Sequence, residues 1–196
     1  MLKKGEENIR LAFITSNQHK YLEAKQILSK YNIDLYMVDL GKLEVQDEKV
    51  ENISRIAAIY AYNQLRKPLI VEDSGLFIEA LNGFPGPFSS FVHRTIGNEG
   101  ILQLMAKESN RRAYFKASIT CICDQFVMTF NGQVDGAISM KPKGDQGFGF
   151  DPIFIPNGFD KTFSELGENI KNRISHRSKA FTKFAIWISE QKPIKP

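Results

Sequence analysis

Two adjacent carboxylates, Glu72 and Asp73, directly follow a short apolar run in the middle of the chain. The run at residues 68–71 predicts a strand that enters a hydrophobic core, and Ser74 and Gly75 predict a sharp turn behind the carboxylates. Neighbouring strand residues point to opposite faces, so the two acids cannot be solvated alike unless the chain bends there. Carboxylates at the end of a buried strand are costly unless a cation meets them, and a hard divalent metal such as Mg²⁺ is one candidate. The alternative is a solvated strand end followed by a turn.

The length and composition of the chain are those of an ordinary globular domain. Its 196 residues are 42% hydrophobic and 24% charged, which suits one folded domain with a full core. No apolar run approaches the length of a membrane span, and residues 1–8 lack the apolar stretch of a signal peptide. We expect residues 1–196 to form a single domain, in which residues 1–8 are a disordered segment or an extension without function.

Charge and cysteine usage restrict the function only broadly. The formal net charge of +4 fits a polyanionic ligand, but it does not separate a nucleotide from a nucleic acid. Cys121 and Cys123 lie two residues apart on a predicted strand, a spacing that suits neither a disulfide framework nor a metal-binding knuckle. The cysteines therefore favour a reducing, cytoplasmic location.

A polar turn at residues 15–20 separates a predicted strand at residues 10–14 from a predicted helix at residues 21–31. This arrangement presents free backbone N–H groups and the positive end of a helix dipole to an anion. Ser16 or Asn17 can cap the helix, and Lys20 can reach the same anion as a point charge. The alternative is an ordinary capped helix without a ligand.

Strand and helix patterns alternate over residues 10–71 and predict an α/β fold. A strand at residues 33–38 is followed by a helix at residues 49–66, whose predicted inward face includes Ile56 and Tyr60. This order implies crossover connections and a partly parallel sheet, in which ligands bind beyond the strand ends. The turn at residues 15–20 and the two carboxylates would then face one cleft.

The second half of the chain predicts a different kind of structure. Residues 88–107 read as two short helices broken near Gly97. Residues 113–123, 125–131 and 133–140 alternate in polarity and read as three antiparallel strands. These patterns predict a mixed α/β sheet. The expected architecture is a twisted sheet in an elongated fold, with a central cleft between two lobes.

Two further motifs carry groups suited to an aromatic, anionic ligand. Glycines alternate with phenylalanines at residues 147–151, so the backbone can approach a flat ligand while a ring stacks on it. The alternative is a glycine-interrupted strand whose rings fill the core.

Ser175 predicts a helix N-cap, with His176 and Arg177 in the first turn and Lys171 in the loop before it. Because a helix N-terminus disfavours cations, these residues call for an anion or a base edge, unless they form a solvated basic surface.

In this order, the motifs together resemble one family, the noncanonical purine nucleoside triphosphate pyrophosphatases, also called inosine or xanthosine triphosphate pyrophosphatases. The matching stretches extend over nearly the whole chain and are residues 15–20, 71–76, 80–86, 147–152, 160–166 and 171–177. Departures are small. Glu72 stands where many relatives carry a second aspartate, Phe150 stands where tyrosine or tryptophan is frequent, and Gln18 with His19 replaces a commoner glycine-containing pair.

The resemblance implies a role for each matching position. Asp73 would accept the proton of the attacking water and would bind Mg²⁺ together with Glu44, with Glu72 as a further metal ligand. The residues implied in substrate binding are Thr15, Ser16, Asn17, Gln18, His19, Lys20, Ser74, Phe148, Gly149, Phe150, Asp151, Lys171, His176 and Arg177. The first six would hold the triphosphate, the glycine–phenylalanine segment would stack on the purine, and the last three would select its 6-oxo group.

The resemblance implies hydrolysis of inosine triphosphate (ITP), its deoxy form (dITP) and xanthosine triphosphate (XTP) to the monophosphate and pyrophosphate, which would cleanse the nucleotide pool. It also implies a homodimer, joined through residues 84–105. One alternative is a related pyrophosphatase acting on pyrimidine or modified nucleotides. Another is a basic nucleic-acid-binding protein, whose affinity would fall steeply with salt; it leaves Glu44, Glu72 and Asp73 without a role.

Overall fold

A computed structural model of the protein describes residues 9–41, 43, 45–123 and 126–190. The strands are β1 (Ile9–Ile14), β2 (Ile33–Val38), β3 (Leu69–Ile78), β4 (Pro85–Gly86), β5 (Arg112–Cys123), β6 (Phe126–Ile138) and β7 (Phe154–Pro156). The helices are α1 (Gln18–Leu28), α2 (Val50–Leu65), α3 (Ser89–Thr95), α4 (Gly97–Leu104), α5 (Phe163–Ile174) and α6 (His176–Glu190). None of the helices in these ranges is long and apolar enough to cross a membrane.

The described strands form one mixed sheet in the order β2-β1-β3-β5-β6-β7, with β4 paired to β3. β1 runs parallel to β2 and to β3, whereas every pairing beyond β3 is antiparallel. α1 connects β1 to β2, and α2 connects β2 to β3. These helices form the crossover connections that parallel strands require. The prediction of a mixed α/β fold is confirmed.

The predicted turn at Ser74 and Gly75 is wrong, because β3 continues unbroken from Leu69 to Ile78. Gly75 instead allows β4 to pack closely against β3, because it has no side chain. A Cβ atom at Gly75 would lie 2.1 Å from the carbonyl oxygen of Gly86, far inside van der Waals contact. The two carboxylates therefore lie within a strand rather than at its end.

The three antiparallel strands predicted after residue 112 are two long strands. β5 and β6 pair continuously from Arg112 opposite Ala137 to Cys123 opposite Phe126, so no turn interrupts β6 between Asn131 and Gln133. Gly132, within the predicted turn, lies under α6, where a Cβ atom would come 2.0 Å from the carbonyl oxygen of His176. The glycine reflects close helix packing, not a chain reversal.

Hydrophobic clusters cover both faces of the sheet. Leu11, Phe13 and Ile70 pack beneath α1 and α6 on one face, whereas Ala12 and Val71 pack beneath α2 on the other. A third cluster lies at the far end of β3, β5 and β6; it includes Leu76, Ile101, Phe115, Phe154 and Phe163. The long strands β3 and β5 therefore contribute residues to all three clusters.

Helix α6 spans much of the first face. At its end, Trp187 packs against Phe126 and Phe130, with ring centroids 5.5 and 5.3 Å apart. At its start, the backbone N–H of Ser178 donates to the hydroxyl of Ser175 over 3.1 Å. The predicted N-cap at Ser175 is confirmed, but Lys171 lies in the last turn of α5, not in a loop.

Candidate functional site

A cleft of about 940 Å³ opens beside the end of β1, a volume typical of small-molecule sites. Its walls come from the β1–α1 loop, the segment after β2, α2, the middle of β3 and α3. The predicted site residues that line it are Thr15, Ser16, Asn17, Gln18, Lys20, Glu72 and Asp73. The loop and the carboxylates thus face one cleft, as the sequence predicts.

The β1–α1 loop is fixed by its own side chains. The hydroxyl of Thr15 accepts a hydrogen bond from the backbone N–H of Asn17 over 3.1 Å. The Asn17 carboxamide oxygen in turn accepts from the backbone N–H of Lys20, also over 3.1 Å, and caps α1. The start of α1 with its positive dipole end therefore borders the cleft, which favours an anion there.

Glu72 is fully buried and faces two cations. Its carboxylate lies 3.0 Å from Lys20 Nζ and 3.2 Å from Arg177 Nη2. Burial alone would raise the pKa of Glu72, but Arg177 and Lys20 outweigh it and lower that pKa to about 2. The carboxylate is thus held ionised, and both of its oxygens are engaged by cations that compete with a metal ion.

Asp73 projects to the opposite side of the sheet from Glu72. Strand residues alternate, and Ile70 packs beneath α1 and α6 while Val71 packs beneath α2. Asp73 therefore shares the α2 side with Val71, where it lines the cleft and is half-buried. Ser74 returns to the α6 side, where its hydroxyl accepts from Arg177 Nη2 over 3.2 Å.

The cations predicted to read the base form a buried cluster of ion pairs beside the cleft. Lys171 Nζ donates to Asp151 Oδ2 over 2.6 Å and to Glu23 Oε1 over 2.7 Å. Arg177 Nη1 donates to Glu23 Oε2 over 2.5 Å. The side chains of Lys171 and Arg177 are each only 2% exposed, which contradicts the alternative of a solvated basic surface.

Glu23 joins these two cations and was not found by sequence reasoning. It lies on the buried face of α1 beside Ala24 and Ile27, and a carboxylate on an apolar helix face was the available signal. Burial raises the pKa of Glu23, but the attraction of Arg177 and Lys171 outweighs it, so the net pKa is lowered. At Asp151 burial dominates and raises the pKa.

His176 is buried beside the same cluster and is held neutral. It stacks on Phe115 with ring centroids 4.8 Å apart. Burial, reinforced by the positive charge of Arg177 and Lys171, lowers the pKa of His176 well below its ordinary value of 6.5. Its Nδ1 atom is buried and has no hydrogen-bond partner among the described residues, so it remains available to a ligand.

The glycine–phenylalanine segment separates its two rings. Lys171 Nζ lies over the ring of Phe148, 4.4 Å from the ring centroid. The Phe148 ring also stacks on His19, with the two ring centroids 5.0 Å apart. Phe150 is 3% exposed and packs in the third hydrophobic cluster. Gly149 accepts a hydrogen bond from the Asn98 carboxamide over 3.3 Å. Of these two rings, Phe148 is therefore the one that lies beside the buried cations.

Gly147 makes room for Asp151 rather than for a ligand. Its φ is +82°, and a Cβ atom there would lie 2.3 Å from Asp151 Oδ2. That same oxygen accepts a hydrogen bond from the backbone N–H of Phe148 over 2.8 Å. The glycine thus lets the chain curl tightly around a carboxylate that orients Lys171.

Metal binding was predicted at Glu44 and Asp73. Glu44 lies outside the described residues, although its neighbours Leu43 and Val45 line the cleft. Within the described ranges, no group of three His, Cys, Asp or Glu side chains is close enough to hold a metal ion. The cleft carboxylate of Asp73 does suit Mg²⁺, which binds one or two protein carboxylates and completes its shell with water and phosphate.

Taken together, the fold and the site define an α/β protein with a cleft lined by the β1–α1 loop and Asp73, beside a buried network of carboxylates and cations. A family model described as the Ham1 family matches residues 11–187. The chain belongs to the Ham1 family.

Individual relatives support this assignment. A dITP/XTP pyrophosphatase of Methanopyrus kandleri is 51% identical over 181 residues, which cover 91% of this chain and 96% of the relative. A dITP/XTP pyrophosphatase of Saccharolobus solfataricus is 47% identical over 185 residues, which cover 94% of this chain and 95% of the relative. The solved structure of a HAM1 protein from Coxiella burnetii superposes with a TM-score of 0.83 at 27% identity, covering 93% of this chain and all of that one.

Proposed function

We propose that the protein hydrolyses ITP, dITP and XTP to the nucleoside monophosphate and pyrophosphate with the help of Mg²⁺. One observation carries the proposal: Lys20 and Arg177 bind the same Glu72 carboxylate. Through this carboxylate the cleft and the buried cluster of Lys171 and Arg177 would form one site for a nucleotide. The names of the relatives from Methanopyrus kandleri and Saccharolobus solfataricus support the same substrate class.

Asp73 would act as the general base. Water is a poor nucleophile, and a carboxylate in the cleft can orient it and accept its proton as it attacks the α-phosphorus. The bond between the α-phosphorus and the bridging oxygen breaks, and pyrophosphate leaves with that oxygen. Asp73 and Glu44 would hold Mg²⁺, which when bound neutralises phosphate charge and favours deprotonation of water.

The β1–α1 loop would bind the triphosphate. Its backbone N–H groups at the start of α1 and the ammonium group of Lys20 border the cleft, and both favour phosphate oxygens. Lys20 keeps its contact with Glu72 at 3.0 Å, so its position is set before the substrate arrives. Such preorganised donors stabilise charge that develops in the transition state.

Lys171, His176 and Arg177 would select the base. Their donors suit the 6-oxo group of hypoxanthine or xanthine, whereas the 6-amino group of adenine would leave buried donors unpaired. Phe148 supplies the ring on which the purine would stack, on the face taken by His19 in the absence of ligand. Because Lys171 and Arg177 are buried, they cannot serve as a surface for a nucleic acid.

Dimer formation and location belong to this proposal as well. Within residues 84–105, Phe84, Ile96 and Leu104 are exposed apolar side chains, which supports a homodimer through that region. Light scattering after size-exclusion chromatography would give a dimer mass, and a monomer mass at micromolar concentration would contradict it. A cytoplasmic location stays a prediction from the sequence.

The test is pyrophosphate release from ITP, XTP, dUTP, ATP and GTP, each with Mg²⁺ and with EDTA. We expect metal-dependent release from ITP and XTP, with ATP hardly hydrolysed. A preference for dUTP would favour the pyrimidine-directed alternative. Release from none of the five nucleotides would contradict the proposed function.

A further inference from the structure

Helix α3 forms a wall of the cleft that no predicted site residue occupies. Phe88, at its N-cap, and Ser90, Phe91 and Arg94 line the cleft together with Asp73 and the β1–α1 loop. Arg94 is exposed and lies in the last turn of α3. The helix thus directs one cationic side chain toward the space in which a substrate would lie.

The cleft corresponds to the phosphate end of that substrate. Phe148, Lys171, His176 and Arg177 are absent from the described residues that line it, whereas Asp73 and Lys20 are present. The residues proposed to bind the base therefore lie beyond the cleft, on the α6 side of β3. What α3 can contact is the triphosphate, and in particular the part that extends away from the base.

The described residues that line the cleft carry more carboxylates than cations, so a bound anion would have few cationic partners. Asp39, Glu72 and Asp73 contribute carboxylates, and the lining cations within the described ranges are Lys20 and Arg94. Lys20 is engaged by Glu72 at 3.0 Å. The side chain of Arg94 makes no hydrogen bond or ion pair with any described residue. The full charge of its guanidinium group is therefore available to a ligand.

We propose that Arg94 binds the β- and γ-phosphates and holds the departing pyrophosphate; this inference rests on the proposed function. The planar guanidinium group donates two parallel hydrogen bonds to phosphate, which an ammonium group cannot do. When the α-phosphorus is attacked, negative charge grows on the bridging oxygen of the leaving group. A cation on α3, in the wall of the same cleft, would stabilise that charge.

The test compares Arg94→Gln with Arg55→Gln, a matched control. Arg55 is exposed on α2 and does not line the cleft, so both variants lose one surface charge. Isothermal titration of inorganic pyrophosphate in the presence of Mg²⁺ measures binding without turnover. We expect the dissociation constant to rise about tenfold or more in Arg94→Gln and to stay unchanged in Arg55→Gln.

Three further readouts separate this role from others. Because Arg94 is exposed and without a described partner, its removal should leave the melting temperature unchanged, and affinity for inosine monophosphate should also stay the same. Arg94→Lys should recover only part of the pyrophosphate affinity. Pyrophosphate binding of Arg94→Gln equal to that of the wild type would overturn the inference, even if the wild type hydrolyses ITP. Failure of the wild type to hydrolyse any nucleotide would instead overturn the proposed function.

Discussion

Glu72 and Asp73 are consecutive residues of β3 whose side chains take opposite sides of the sheet. Glu72 turns toward α6, where its carboxylate lies 3.2 Å from Arg177 Nη2. Asp73 turns toward α2 and lines the cleft. Strand alternation thus assigns Glu72 to a buried ion-pair network and places Asp73 in the cleft, although the two look equivalent in the sequence.

Replacing Asp73 by asparagine should stop turnover without unfolding the protein. The amide cannot accept the proton of the attacking water, so kcat should fall by about 100- to 10,000-fold. Pyrophosphate release measures the rate, and thermal unfolding checks the fold. Near wild-type turnover would show that another group is the base.

Replacing Glu72 by glutamine should instead reduce stability. The change leaves Arg177 and Lys20 with one fewer counter-charge in a buried site, and removal of one partner of a buried ion pair costs about 3–5 kcal/mol. Urea denaturation at neutral pH measures this loss in the free energy of unfolding.

Asp34→Asn is the matched control for Glu72→Gln. Asp34 pairs with Arg10 at 3.8 Å on the surface, where an ion pair contributes about 1 kcal/mol or less. Equal losses in the two variants would contradict a structural role for the Glu72 ion pairs.

His176 should make the protein less stable at acid pH. Its folded-state pKa is lowered well below 6.5, so below pH 6.5 the unfolded chain takes up a proton that the folded protein does not. The free energy of unfolding should therefore fall by about 1.4 kcal/mol per pH unit from this residue.

Urea denaturation at about pH 7.5 and about pH 5.5 isolates the His176 contribution when the wild type is compared with His176→Gln. The variant should lose less stability between the two values, because glutamine takes up no proton in the unfolded chain. Equal losses in both proteins would mean that His176 can be protonated in the folded state.

The sequence predicts local elements well and distant partners poorly. β1, β2 and α2 follow from periodicity, and the cap at Asn17 follows from its side chain. Ending β3 at its carboxylates was wrong because Arg177, which compensates Glu72, lies 105 residues further along the chain. No local pattern carries that information.

The buried face of α2 shows the same limit. Ile56 and Tyr60 are 45% and 46% exposed, whereas Ser54 is fully buried. The Ser54 hydroxyl lies 3.0 Å from those of Ser118 and Thr120 in β5, so its polar group is satisfied by a strand far away in sequence. Hydrophobicity alone therefore predicts Val50 and Ala61 correctly as buried, but it misplaces Ile56 and Tyr60 and misses Ser54. Glu23 was missed for the same reason, because its partners Lys171 and Arg177 lie far away in the sequence.

Substituting alanine for Gly75 should disturb the site through the backbone. The new Cβ atom would lie 2.1 Å from the Gly86 carbonyl oxygen, so β4 must move away from β3. We expect a loss of stability of more than about 2 kcal/mol and reduced turnover, because Asp73 lies two residues away. Wild-type stability in urea would show that β4 can shift freely.

Removing the ring of Phe148 should weaken substrate binding. Stacking on an aromatic side chain contributes about 1–3 kcal/mol per base, so KM for ITP should rise about tenfold in Phe148→Ala. Phe159→Ala is the matched control, because Phe159 is an exposed phenylalanine outside the site. An unchanged KM in Phe148→Ala would place the purine elsewhere.

Helix α6 also determines what an optical experiment on this protein can report. It begins at His176, one of the residues proposed to bind the base, and the chain's single tryptophan, Trp187, packs on Phe126 and Phe130 near its other end. The two positions are separated by about 16 Å along the helix axis. Intrinsic fluorescence should therefore follow global unfolding while remaining insensitive to nucleotide, which makes it a clean stability signal even when substrate is present.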